Sequence, residues 1–243
     1  MSLLTGLHWW WDLAATGATI TDQVNGLVLT RNGTVTTDAS GGPGGGGCCD
    51  FGNSLGSFSN ASVARPFNYG LGVSVNIWFN VTSTAVNQWL INHRAGVPNA
   101  IHFQSLIQTG NYFTAVTSSV GTGAAVGPLS VPSLNAWHML TFTDDGTTMT
   151  AYLNGVSAGT ASTAGLGVRS ALAAPFAIGT SSWDLNFARV KGKLAMAGVW
   201  SAVLTGANVT SLYNSGAGKR YAELATSPTQ RRQSAQQSIQ GVI

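Results

Sequence analysis

Residues 137–160 read WHMLTFTDDGTTMTAYLNGVSAGT, and their period of two decides the fold. Leu140 and Phe142 fall on one side of an extended chain, as do Met149, Ala151 and Leu153, because successive side chains of a strand point to opposite faces. Between these runs, Asp145-Gly146 and Asn154-Gly155 tolerate the positive φ that two-residue hairpin turns require. The stretch predicts a three-stranded antiparallel meander.

The same short alternation, punctuated by turn residues, recurs on either side of it. Strands are expected at 7–13, 26–31, 73–81, 88–92, 100–107, 113–117, 174–179 and 192–200. About a dozen strands imply two packed sheets, and one sandwich can absorb all 243 residues without a second domain. One short helix is expected at 206–214, with Thr205 as N-cap, Val209, Leu212 and Tyr213 on one face, and Gly216 near its stop. The glycine run at 41–47 reads as a loop that another backbone approaches closely. Cys48 and Cys49 are adjacent, which strains a mutual disulfide and leaves too few ligands for a metal, so they read as reduced thiols.

Charged residues make up 8% of the chain, against about 25% in ordinary soluble domains. A surface this poor in charge cannot rely on repulsion for solubility and is expected to be covered by partners. Residues 1–218 carry equal numbers of acidic and basic side chains; the whole +3 comes from Lys219, Arg220, Arg231 and Arg232 against Glu223. The basic character therefore belongs to a Gln-rich tail, 219–243, and not to a nucleic-acid-binding face on the sandwich, 1–218. A tail of this composition buries too little apolar area to fold by itself. No stretch resembles a secretory signal, and no apolar run reaches the ~18 residues of a membrane span, so synthesis in the cytoplasm is expected.

Six pieces occur in an order that resembles a known family: Trp9 to Leu13, Asp22 to Leu29, Val75 to Phe79, Trp137 to Gly155, Phe176 to Gly179, and Gly192 to Trp200 followed by Leu212-Tyr213-Asn214. Together they are similar to the laminin-G-like, concanavalin-A-like lectin and glucanase jelly rolls. The resemblance implies an all-β, two-sheet antiparallel jelly-roll sandwich with its first and last strands as neighbours, one short C-terminal helix and a polar tail. It leaves function open, because lectins, glycosidases, adhesion modules and virion proteins share the fold.

Some relatives are glycosidases, which need two carboxyl groups flanking the scissile bond. This chain has one glutamate, Glu223, in the tail, and seven aspartates, of which the adjacent Asp144 and Asp145 sit in a turn, so no catalytic residues are assigned and the chain is read as a non-enzyme. No cofactor is assigned. Calcium remains open through the resemblance, because relatives bind it at a sandwich rim; Asp22 and Asp184 are the candidate ligands, each weighed against ordinary turn chemistry.

Sugar recognition needs an exposed aromatic beside amide or guanidinium hydrogen-bonders on a rigid scaffold. Trp183 with Asp184 and Asn186 forms one candidate cluster. Asn92, His93 and Arg94, expected in a loop after the Trp89 strand, form a second. Trp9, Trp10 and Trp11 cannot all enter one core, since neighbouring strand residues face opposite ways. One of them packs under the chain's own loops or tail, or meets another subunit, where tryptophan is enriched. Arg231 and Arg232 are the candidate tether in the tail.

Three functions follow as expectations. The first is a non-catalytic virion component, such as a bacteriophage capsid decoration, fibre or appendage, assembled from cytoplasmically made copies with other particle proteins and with itself. The second is a carbohydrate-binding module or lectin, with or without calcium. The third, disfavoured by the missing carboxylates, is a glycosidase.

Overall fold

The computed structural model describes residues 2–14, 17–52, 56–64, 72–94, 101–117, 123–129, 133–166 and 173–224. In chain order the strands are β1 (Leu7–Trp11), β2 (Thr19–Thr21), β3 (Val28–Asn32), β4 (Thr36–Asp38), β5 (Cys48–Gly52), β6 (Ser57–Val63), β7 (Val73–Val81) and β8 (Gln88–Arg94). They continue with β9 (Ile101–Gln108), β10 (Asn111–Thr117), β11 (Gly123–Leu129), β12 (His138–Asp144), β13 (Thr148–Leu153), β14 (Val156–Ser162), β15 (Ala174–Ile178) and β16 (Gly192–Trp200), followed by the helices α1 (Gly206–Tyr213) and α2 (Tyr221–Leu224).

Two antiparallel sheets result. One runs β14-β13-β12-β7-β16-β5-β4, with β1 also on β16; the other runs β11-β10-β9-β8-β15-β6-β3-β2. The opening strand thus lies against the last one, with Trp10 opposite Gly198, as the family resemblance implies. The 137–160 stretch forms the expected meander, and Leu140, Phe142, Met149 and Ala151 enter the core between the sheets. Its second turn is the two-residue loop Asn154-Gly155, with φ of 53° and 82°, the left-handed region that glycine occupies without steric cost. Its first turn shifts by one residue. Asp145 N donates to Thr148 O, so Gly146 and Thr147 are central, and Asp145 Oδ1 accepts from both Thr147 N and Thr148 N.

A second apolar layer covers the outer face of the β7/β16 sheet. Trp10, Cys48, Trp78, Met139, Met196 and Trp200 pack there under Leu3, Leu204, Val209, Leu212 and Leu224. Central strands covered on both faces lose the in/out alternation and read as nearly continuous apolar runs, which is the burial pattern of β7 and β16. At the β16 bulge Met196 takes φ 44°; its carbonyl accepts from Asn76 Nδ2 (3.0 Å), and Asn76 Oδ1 accepts from Thr141 (2.8 Å). A buried amide thus satisfies the backbone that the bulge leaves unpaired.

Three expectations are corrected here. Trp9, Trp10 and Trp11 are 3%, 1% and 2% exposed: Trp9 and Trp11 enter the inter-sheet core, and Trp10 enters the outer layer. The chain's own helices and termini supply that layer, so none of the three is available to a subunit interface. The tail does not begin at 219. Arg220 Nη1 and Nη2 donate to Asp12 O (2.9 Å) and Gly47 O (2.6 Å), and Leu224 is buried in the outer layer. Arg231 and Arg232 lie outside the described residues. Finally, Asn92, His93 and Arg94 continue strand β8 and form no loop.

The glycine loop is approached as expected. A Cβ on Gly44 (φ 64°) would stand 2.9 Å from the Ala217 carbonyl, while Trp137 Nε1 donates to Gly41 O at 2.8 Å.

Candidate functional site

The chain between β15 and β16, residues 179–191, folds back over β8, and backbone geometry explains why it stays there. Gly179 N donates to Leu90 O, Trp89 N to Ala188 O and Val190 N to Gly179 O. Inside the loop, Thr180 Oγ1 reaches the carbonyls of Leu185 and Phe187, and Ala188 takes φ 54°. A loop closed on itself in this way is a compact platform of the Ω type.

Asn92 pins one end of it. The side chain is fully buried, with Nδ2 donating to Thr180 O (2.7 Å) and Oδ1 accepting from Ser182 N (2.9 Å). Gln88, equally buried, pins the other end: its Oε1 accepts from Lys191 N (2.7 Å), and its Nε2 donates to Ser83 O (2.6 Å). These amides are committed to holding the loop, and Asn92 lies beneath it, away from solvent.

His93 is also removed from the site. It is buried among Trp9, Phe103 and Phe176, and its Nε2–H donates to Val63 O at 3.0 Å.

Arg94 and Trp183, drawn from the two separate sequence clusters, are brought together. The Arg94 guanidinium carbon lies 3.9 Å from the Trp183 ring centroid, and Trp89 meets Trp183 edge to face at 5.0 Å. Arg94 Nη1 donates to Gln104 Oε1 (2.9 Å). Because a guanidinium covers one face of its indole, Trp183 is a braced element of the loop and offers less free ring than an open sugar platform. Burial lowers the Arg94 pKa from its usual value.

The open aromatic is Phe187, 48% exposed, which the sequence reading passed over. It borders a cleft of about 450 Å³ lined by Val86, Asn87, Asn186, Arg189 and Lys191, among others, with no carboxylate among the described lining residues. Asn186 sits at its rim, where its Oδ1 accepts from Arg189 Nη2 (2.9 Å). Asn87 Oδ1 accepts from Thr109 N (3.1 Å), which ties the β9–β10 turn to the cleft. The available signal was the run Ser-Ser-Trp-Asp-Leu-Asn-Phe-Ala-Arg at 181–189: a second aromatic among polar residues, shortly before β16 begins at Gly192.

Asp184 and Asp22 both perform turn chemistry. Asp184 Oδ1 accepts from Asn186 N (2.9 Å). The buried Asp22 carboxylate accepts from the backbone N–H groups of Val24, Asn25 and Leu27, which occupies the oxygens a cation would need. Among the described residues no three His, Cys, Asp or Glu side chains gather as a metal site.

A family model described as the concanavalin A-like lectin/glucanases superfamily, of the laminin G type, matches residues 55–210. No curated protein sequence matches the chain. Among solved structures, the binding domain of botulinum neurotoxin serotype D is similar with a TM-score of 0.64 at 13% identity, over 86% of this chain and 52% of that one. The binding domain of Paraclostridial Mosquitocidal Protein 1 gives 0.61 at 16%, over 86% and 52%. Domain 4 of an extracellular arabinanase from Geobacillus stearothermophilus, in complex with arabinotriose, gives 0.63 at 17%, over 84% and 97%. The chain therefore spans about half the length of the two toxin binding domains and nearly all of the arabinanase domain. At these identities the likeness is one of fold.

Proposed function

The chain belongs to the concanavalin A-like lectin/glucanase superfamily, and from that premise we propose that it is a non-catalytic glycan-binding module whose ligand lies in the Phe187 cleft. One observation carries the reading: an aromatic ring stands open to solvent over a cleft rimmed by two amides and two cations. A sugar ring presents an apolar C–H face for such an aromatic and hydroxyls for such hydrogen-bonders. The arabinanase domain supports the reading as a fold of nearly equal length in complex with an oligosaccharide.

Catalysis is not proposed. Glycoside hydrolysis needs two carboxyl groups about 5 to 9.5 Å apart across the bond, and none of the described lining residues supplies one. Binding is proposed to need no calcium, so it should persist in EDTA.

Titration with oligosaccharides selected on a glycan array tests the site. Phe187→Ala should weaken binding roughly three- to tenfold, the worth of one aromatic contact. An unchanged affinity would move the site elsewhere.

The finer assignment is to a virion, as a capsid decoration, fibre or appendage. It is supported by the charge-poor composition and by the basic residues that follow the sandwich. Mass spectrometry should find the chain in purified particles; recovery solely as free monomer would overturn this assignment.

A further inference from the structure

We propose that the glycan is anionic, a polysaccharide bearing carboxylate or sulfate groups that meet the cations of the 179–191 loop. This rests on the glycan reading of the Phe187 cleft and adds the charge of its ligand.

Charge is scarce in this chain, and at the loop it is segregated. Among the described basic side chains of residues 1–218, three border this one loop: Arg94, Arg189 and Lys191. Of the seven aspartates, only Asp184 lies on the loop, and its Oδ1 already accepts from Asn186 N. Lys193, two residues beyond, shows the contrasting case, because its ammonium pairs with Asp38 at 2.8 Å.

Two of the three loop cations have neutral partners. Arg94 donates to an amide oxygen and Arg189 to the Leu185 carbonyl and the Asn186 amide. Among the described residues none of the three is paired with a carboxylate.

Unpaired cations on a partly buried surface favour an incoming anion, since charge-assisted bonds are about twice as strong as neutral ones. Arg94 Nε and Arg189 Nη1 are buried without an acceptor, so the protein's own groups do not fully satisfy either guanidinium. The depressed Arg94 pKa has the same physical origin, a cation withdrawn from water with no counterion beside it.

Geometry gathers these groups on one face. Lys191 is held at the first residue of β8 through Gln88. Arg94 is the last residue of that strand, and its guanidinium reaches back along it to 5.5 Å from the Trp89 ring. Phe187 stands on the loop that covers this strand.

Binding by the full chain to polygalacturonate, dextran sulfate, neutral dextran, neutral arabinan and a DNA duplex of matched charge tests the proposal. The expected result is binding of a carboxylated or sulfated polysaccharide that weakens with added salt, is reduced roughly threefold to tenfold by Lys191→Gln and further by Lys191→Glu, and is unchanged by Arg231→Gln with Arg232→Gln. Thermal melting of the Lys191 variants confirms that they fold. Dependence on Arg231 and Arg232 in place of Lys191 would assign the polyanion to the tail and overturn the proposal, as would DNA binding equal to that of the polysaccharides. Phe187-dependent binding of the neutral polymers alone would overturn the anionic ligand and leave the glycan reading standing; binding of no polysaccharide would sink both.

Discussion

Cys48 and Cys49 are neighbours in β5, yet their thiols enter different cores. Alternation along a strand sends Cys48 into the outer layer and Cys49 between the sheets. Burial raises Cys48 to about 11 and Cys49 to about 12, from an ordinary 9.0. Since the thiolate is the nucleophile, both thiols should resist a disulfide reagent at pH 8 in the native protein and both should react once it is unfolded. Rapid native labelling would contradict this burial. The linked effect on stability has a definite sign: below pH 9 the thiols are protonated in both states and contribute no pH dependence. Between pH 9 and about 11 to 12 the unfolded chain releases its protons first, so stability should fall as pH rises. The tryptophan run obeys the same alternation. That Trp9, Trp10 and Trp11 could not share one core was legible from spacing; that the partner of Trp10 is Trp200, at 5.8 Å, depends on residues 190 positions away.

Helix α1 was readable because its signals are local. Thr205 accepts from Asn208 N, and Asn208 Oδ1 accepts from Thr205 N, each at 3.2 Å, which closes a capping box around otherwise unpaired N–H groups. Thr205→Ala should cost about 1 kcal/mol, read as a lower denaturant midpoint with an unchanged slope; no shift would mean that packing of Val209 and Leu212 alone holds the helix. The longer strands were legible for a similar reason, since alternation spans only a few residues. The strands that escaped are β2 (Thr19–Thr21), β4 (Thr36–Asp38), β5, β6 and β11. Threonine and serine in β2, β4 and β6 carry little apolar pattern, β5 and β11 carry too short an apolar run beside glycine, and pairing with a neighbouring strand is what makes them extended. The extension of β8 through Arg94 has the same cause, because β9 and β15 pair with it there.

At the scale of the molecule, the termini act together. Residues 219–224 clasp the opening strand and the glycine loop through Arg220 and close the outer layer with Leu224. Deletion of 225–243 should leave the melting temperature nearly unchanged, whereas deletion of 219–243 removes a buried leucine and two guanidinium bonds. That larger deletion should cost several kcal/mol, roughly 10 °C by thermal scan; equal melting of the two truncations would show that the clasp contributes nothing. The tail boundary was misjudged from composition because Lys219, Arg220 and Glu223 look solvated in a linear reading, while their role depends on a carbonyl of Asp12 more than two hundred positions earlier. By themselves, the residues determined the two-sheet class, the central meander and the capped helix, since each follows from period, turn preference or composition within a short window. Tertiary structure alone decided that Arg94 meets Trp183, that Asn92 and His93 are withdrawn from the surface, and that Phe187 is the ring left open. Those outcomes follow from a loop folding onto a strand some ninety positions away, and the register of such contacts is set by sheet order, which no local pattern encodes.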